Sequence, residues 1–222
     1  MTVQTVGLAS CVELVERHFH RILDELEILR EPLAARFNRG PVDSGDVRAL
    51  IEPPVRAFLA ATDVVGAGFV AAQGALSDRT LYLAWWQGDD QRLLAEPDAS
   101  SSGTPFDYTR HPWFRTPRLT GRPHVTGPYV DFICTDEYVM TTTAPVVSNG
   151  RMVGVVGADT LVETLERLWM PTLRAAGATV VSDVGRTVAS ADPHRPTGTL
   201  IHLDDCRELI ACDRLPLSVL RP

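Results

Sequence analysis

The first strong pattern in the chain is a helical one, over residues 11–37. Apolar side chains recur there at steps of three and four residues, which places them on one face of a helix. Ser10, with Glu13 three residues later, has the form of a capping box and predicts the start. Pro32 predicts an end or a kink. The pattern predicts one long amphipathic helix, whose apolar positions are Val12, Val15, Phe19, Ile22, Leu26, Leu29 and Leu33.

A second helix is predicted over DVRALIEPPVRAFLAAT, interrupted at Pro53 and Pro54. The pattern changes at Gly66, where apolar and aromatic residues form short runs bounded by Gly, Ser and Asp. Such runs are typical of strands. We expect two strands joined by a short turn, in GAGFVAAQG and RTLYLAWWQG.

Residues 127–159 predict an antiparallel meander of three strands, over 129–134, 138–147 and 152–158. Asn149 and Gly150 predict the hairpin between the last two, because both central positions of a type I′ turn need positive φ. A helix over about 161–175 should follow. One more hairpin then turns between Asp183 and Gly185, and residues 200–222 are expected to form a short helix or irregular cover.

Two aromatic residues, Trp113 and Phe114, stand out in residues 106–126, which otherwise have the composition of a loop. Loops are normally polar. Adjacent rings of this kind either seal a sheet or form the wall of a ligand pocket, which is mostly apolar with a few polar anchors. The sequence leaves both interpretations open.

Acidic residues mark both ends of the meander, Asp131 near its start and Asp159 at its end. Strand alternation places Tyr129 and Asp131 on the same side, where a carboxylate and a ring can bind a cation together. Asp159 could supply a second carboxylate to the same ammonium, which has three donors. The alternative for Asp159 is a capping role at the helix that follows.

Composition and motifs narrow the function. The formal charge of −7 argues against nucleic acid as a direct partner, and no apolar run is long enough to cross a bilayer, so we expect a cytoplasmic protein. Nucleotide-binding, zinc-protease and nucleophile-elbow motifs are absent. The histidines do not cluster at metal-ligand spacing, and His111 stands alone beside a proline. We therefore predict no cofactor, no metal and no enzymatic activity.

Four segments together resemble Cache domains, which are PAS-like ligand-sensing domains of bacterial signalling proteins. The segments are HPWF at 111–114, GPYVD at 127–131, VMTTTAPVVSNGRMVGVVGAD at 139–159 and ATVVSDVGRTVAS at 178–190. The resemblance covers about residues 10–195. It implies an α+β fold, with the long N-terminal helix packed on a PAS-like antiparallel sheet and a second, truncated β element. It also implies a pocket on one sheet face, closed by the loop that carries Trp113.

Amino-acid-sensing Cache domains hold the ligand ammonium with a Y-x-D pair and a distal Asp, which Tyr129, Asp131 and Asp159 match. Trp113 and Phe114 match the pocket wall. On the side that holds the ligand carboxylate, His111 stands where the family has Arg, and Phe106 stands where it has Tyr. Arg110 is the neighbouring alternative. A ligand with an amine and a weak or absent acid group therefore fits this resemblance better than an ordinary amino acid.

The sequence thus predicts a helical region over 1–65, a Cache-like ligand-binding domain over 66–176 and a C-terminal hairpin and tail over 177–222. We expect a sensor in signal transduction that binds an amine or amino acid without chemical change. A homodimer formed through the long helix and a separate regulator or transporter are the expected partners. Two alternatives are an enzyme with Asp131 and Asp159 as acid and base, and a dimerising scaffold without a ligand.

Overall fold

The computed structural model describes residues 7–94, 107–131 and 136–221. The chain divides into two compact units. The central unit comprises Ile22–His124 and Thr141–Asp159, and the C-terminal unit comprises Met1–Arg21, Val125–Met140 and Thr160–Pro222. The fold is α+β with antiparallel strands, as predicted.

The predicted long helix is present as α1, which spans Leu8–Phe37. It begins ahead of Ser10, so Ser10 lies inside the first turn and the predicted capping box is wrong. Pro32 lies inside the helix and does not end it. Every apolar position predicted to face the core is buried, which confirms the amphipathic pattern. In the central unit, the ring of Phe37 lies 6.2 Å from that of Phe69 on the sheet.

The second helix, α2, is continuous over Ser44–Ala61, so the predicted interruption at Pro53 and Pro54 is wrong. Its start is fixed by a capping box. The Asp43 side chain accepts from the backbone N–H of Asp46 at 2.8 Å, and the Asp46 side chain accepts from the backbone N–H of Asp43 at 3.3 Å. Two further helices are α3, Pro112–Thr120, and α4, Val162–Ala176.

One sheet has six strands: β1 Gly66–Ala71, β2 Leu83–Gln87, β3 Arg92–Leu93, β4 His124–Val130, β5 Tyr138–Ser148 and β6 Arg151–Leu161. Their order in the sheet is β3-β2-β1-β6-β5-β4. Asn149 and Gly150 have φ of 49° and 74° at the turn between β5 and β6, which confirms the predicted hairpin. The strand predicted over 129–134 begins earlier, at His124, and its described part ends at Val130, while residues 132–134 lie outside the described residues.

The C-terminal unit contains a second sheet of four strands, in the order β8-β7-β10-β9. Strands β7, Thr179–Ser182, and β8, Thr187–Ser190, are the predicted hairpin. Residues after 200 were expected to be a short helix or irregular. They begin with a 3-10 helix, Leu203–Asp205, but then form two strands that pair in this sheet, β9 Glu208–Ala211 and β10 Leu217–Arg221.

The segment that carries Trp113 is helix α3, where the sequence indicated a loop. Pro112 occupies the first turn, where its missing N–H costs nothing, and Gly121 ends the helix in the left-handed conformation with φ of 67°. Within the described part of the chain, no helix is both long and apolar enough to span a membrane.

Candidate functional site

The centre of one sheet face in the central unit is formed by glycine. Gly66 and Gly68 on β1 point to the same side by strand alternation, and their cross-strand partners on β6 are Asp159 and Gly157. We call this surface, defined by Gly66, Gly68 and Gly157, the glycine face. Because glycine has no side chain, large rings can lie directly on the backbone here.

The indole of Trp85 uses this space. Trp85 is opposite Gly68 on β2, and its ring lies across β1. A Cβ atom on Gly66 would be 2.6 Å from Trp85 Nε1, and one on Gly157 would be 3.4 Å from Trp85 Cη2. The indole therefore extends from Gly66 to Gly157, and an alanine at Gly66 would displace it.

Aromatic residues from α3 and the preceding 3-10 turn, Tyr108–Arg110, pack together with Trp85 in one apolar cluster. The ring of Tyr108 lies 6.2 Å from that of Trp113 and 5.4 Å from that of Phe114. The phenol of Tyr108 donates to the carbonyl oxygen of Ala71 on β1 at 2.7 Å. Burial raises the pKa of Tyr108, so this phenol stays a donor near neutral pH.

The two predicted wall residues differ in their surroundings. Phe114 is buried, with 1% of its surface exposed, and so has a packing role. Trp113 is half-buried. The hydroxyl of Thr143 on β5 donates to the backbone carbonyl of Trp113 at 2.8 Å, which fixes the start of α3 against the sheet.

Two of the residues on the side that the resemblance assigns to a ligand carboxylate, Arg110 and His111, lie at this end of α3. His111 is the residue before the helix, and its ring lies 5.9 Å from that of Trp113. The side chain of Arg110 is 88% exposed and pairs with Asp107 at 3.3 Å, so it extends into solvent. Phe106 lies outside the described residues.

Asp159 lies inside strand β6, and the helix-capping interpretation is wrong. Helix α4 begins at Val162, and no side chain caps it. Asp159 is only 5% exposed, and the hydroxyl of Thr141 on β5 donates to Asp159 Oδ1 at 2.6 Å. The carboxylate belongs to the same side of the sheet as Gly66, its cross-strand partner.

Tyr129 and Asp131 belong to the C-terminal unit. Tyr129 is half-buried on β4, and Asp131 follows the strand with 5% of its surface exposed. The backbone of Asp131 makes two hydrogen bonds: its N–H donates to Glu137 O at 3.0 Å, and its carbonyl accepts from Asp136 N at 2.8 Å. The predicted pairing of Asp131 with Asp159 stays a prediction.

The sequence analysis did not single out Trp85, Tyr108, Thr141 or Thr143. A usable signal for Trp85 was present, because glycines alternating on one face of a strand often accommodate a ring from the next strand. Tyr108 gave no such signal, since its contacts depend on how α3 folds onto the sheet. Among the described residues, no cluster of three or more potential ligands for a metal ion occurs.

An antiparallel sheet beside a long N-terminal helix, with an acidic and aromatic surface covered by a short helix, is the architecture of a PAS-like sensor domain. The profile of the family described as "Methyl-accepting chemotaxis protein-like, first PDC sensor domain" matches residues 57–167, half of the chain. The chain belongs to this family. The resemblance to Cache domains is thereby confirmed.

Known proteins agree with this assignment. Methyl-accepting chemotaxis protein TlpQ of Pseudomonas aeruginosa is 25% identical over 167 residues. The match covers 65% of this chain and 23% of TlpQ, so this chain spans about a quarter of that relative.

Solved sensor domains have the same fold. The ligand-binding domain of Campylobacter jejuni chemoreceptor Tlp3 with L-valine superposes with a TM-score of 0.70 at 13% identity, covering 98% of this chain and 90% of that one. The ligand-binding domain of the Pseudomonas aeruginosa amino acid chemoreceptor PctC with GABA superposes with a TM-score of 0.62 at 16% identity, covering 96% of each chain. At such identities the likeness shows the fold alone.

Proposed function

We propose that this chain is a ligand-binding sensor domain whose ligand is a small molecule with an ammonium group, an amine or an amino acid. The observation that carries the proposal is the burial of Asp159 on the glycine face. A buried carboxylate attracts an ammonium strongly, because solvent screens its charge little. Thr141 provides one donor. The ammonium of a ligand adds three N–H donors and a charge of opposite sign.

Asp131 and Tyr129 complete the ammonium site in this proposal. Asp131 is as buried as Asp159, at 5% exposed, and supplies the second carboxylate. Tyr129 supplies a π-face to the cation. Trp113 forms the wall, with Phe114 behind it in the apolar cluster.

At the end opposite its ammonium, the ligand carries a weakly acidic group or no acidic group. The His111 ring lies 5.9 Å from the Trp113 ring and is the candidate partner for this end, whereas Arg110 extends into solvent. A bidentate arginine clamp, the usual strong partner of a carboxylate, is thus not supported at this position. The amino groups of L-valine and GABA, with which the Tlp3 and PctC domains are described, support the amine class.

The ligand is bound without chemical change, and the bound state is passed to a signalling partner. The enzyme alternative gains no support, because the chain belongs to a family of sensor domains. The dimer through α1, the separate regulator or transporter and the cytoplasmic location stay predictions. The predicted dimer is tested by measuring the molar mass of the purified chain by sedimentation, with and without ligand.

A thermal-unfolding screen of alkylamines, amino alcohols, GABA and L-valine tests the proposal. A ligand at about 100 times its Kd stabilises the folded state by about 2.7 kcal/mol, because it binds only that state. For a chain of this length the midpoint should rise by about 5–10 °C. The N-acetylated form of each amine keeps the carbon skeleton but loses the cation, and should give no shift. Equal shifts from amines and acetylated forms, or none from any amine, would contradict the proposal.

A further inference from the structure

The indole N–H of Trp85 is a buried hydrogen-bond donor on the glycine face. Trp85 is 5% exposed, and within the residues that the structure describes its Nε1 has no hydrogen-bond partner. A buried donor without an acceptor costs about as much as a lost hydrogen bond. Buried tryptophan N–H groups usually find a partner. An unmet donor beside a proposed ligand site therefore needs an explanation.

The position of the ring shows over which residue this donor lies. Cη2 lies over Gly157 and Nε1 lies over Gly66. Gly157 pairs with Gly68, whereas Gly66 pairs with Asp159. The edge of the indole that carries the N–H therefore lies over the residue that pairs with Asp159. The donor and the carboxylate thus belong to the same part of the sheet face.

We propose that Trp85 Nε1–H donates a hydrogen bond to the ligand and selects amines that carry an acceptor a short distance from the nitrogen. This inference rests on the proposed function and narrows the ligand class. Asp159 binds the ammonium, and the Trp85 N–H donates a hydrogen bond to a second polar group of the same molecule. Trp85 is therefore a specificity-determining residue of the site.

The acceptor is a neutral one, such as a hydroxyl or a carbonyl oxygen. A single indole N–H carries no charge, and its neighbour on the glycine face, Asp159, is acidic. An anionic group placed there would be repelled by the aspartate, because charges interact strongly at short range in a partly dry site. A neutral acceptor pairs with the donor without that penalty.

Trp86 provides a matched control. Its Nε1 is also buried without a partner among the described residues, but Trp86 follows Trp85 in the strand and so faces the opposite side of the sheet. Replacement by phenylalanine removes the same N–H from either position. Only the change at Trp85 should alter ligand selectivity.

The test compares amino alcohols with alkylamines of equal carbon number: ethanolamine with ethylamine, propanolamine with propylamine and butanolamine with butylamine. In the wild type at least one amino alcohol should bind about two- to tenfold more tightly than its alkylamine, the value of one neutral hydrogen bond. In Trp85→Phe that ratio should fall to about one or below. In Trp86→Phe it should stay as in the wild type.

An unchanged ratio in Trp85→Phe overturns the inference, while continued binding of alkylamines leaves the proposed function intact. Failure of every amine to bind the wild type overturns both. If Trp85→Phe does not fold, the indole N–H resonances of the four tryptophans in the wild type decide. The Trp85 resonance, assigned by elimination with the other three Trp→Phe variants, should move with the amino alcohol and much less with the alkylamine. Equal movement overturns the inference.

Discussion

Replacement of Asp159 by asparagine is expected to weaken amine binding by roughly 30- to 4,000-fold, the equivalent of about 2–5 kcal/mol. Asparagine keeps the shape of the side chain and can still accept the 2.6 Å hydrogen bond from Thr141. It removes the negative charge, which is the partner of the ammonium. Since Asp159 is 5% exposed, solvent screens this charge little, and its loss has a large effect. Calorimetric titration of the purified variant with the best amine measures it.

The matched control for this experiment is Asp89→Asn. Asp89 is exposed in the turn that follows β2, so the same change of charge occurs in water. Its effect on amine affinity should stay within about twofold, because exposed charges are strongly screened. If both variants bind the amine as the wild type does, Asp159 does not hold the ammonium.

Replacement of Phe114 by alanine is expected to lower the free energy of unfolding by about 3–5 kcal/mol. Phe114 is 1% exposed and contacts both Tyr108 and Trp113 through its ring. Helix α3 has nine residues and presents only Phe114 and Pro117 as buried side chains. Without Phe114 a cavity remains between the helix and the sheet. Denaturant titration with a fixed slope measures the change.

Leu119→Ala is the control on the same helix. Leu119 is 68% exposed, so the change removes little buried apolar surface, and the free energy of unfolding should move by no more than about 0.5 kcal/mol. Equal losses in the two variants would mean that Phe114 does not anchor α3. The same two variants should also separate in amine affinity, since the position of Trp113 depends on this helix.

The sequence predicted correctly those elements whose conformation depends on interactions between residues close together in the chain. The turn at Asn149 and Gly150 requires positive φ at two adjacent positions, and few residue pairs adopt it. The core face of α1 follows from a period of three to four residues over a long stretch. In both cases the physical cause lies within a few residues of the sequence, so the sequence alone is sufficient.

Helix α3 was missed although two of its signals are in the sequence. Pro112 in the first turn and Gly121 after the last turn are the usual residues at a helix start and end. They were outweighed by the prolines of this stretch, which are typical of loops. The helix is short, and the burial of Phe114 contributes to its stability, which is a tertiary effect.

The position of Asp159 inside a strand and the missed C-terminal strands have a common cause. Strand β6 extends through Asp159 because this part of it pairs with β1, which lies far away in the sequence. Strand β10 likewise pairs with β7, more than thirty residues earlier. Such pairing determines where a strand ends, and no pattern among neighbouring residues predicts that end. Asp159 is thus a residue on a sheet face, and the alternative of a helix cap is excluded because no side chain caps α4.

The central claim is that Asp131 and Asp159 hold one ammonium, and a double-mutant cycle on amine affinity tests it most directly. Asp131→Asn, Asp159→Asn and the double variant are titrated with the same amine. Two groups that contact one ligand atom should depart from additivity by more than about 0.5 kcal/mol. The account predicts such a coupling, with each single variant weakened. Additive effects, or an Asp131→Asn variant that binds as the wild type does, would contradict it.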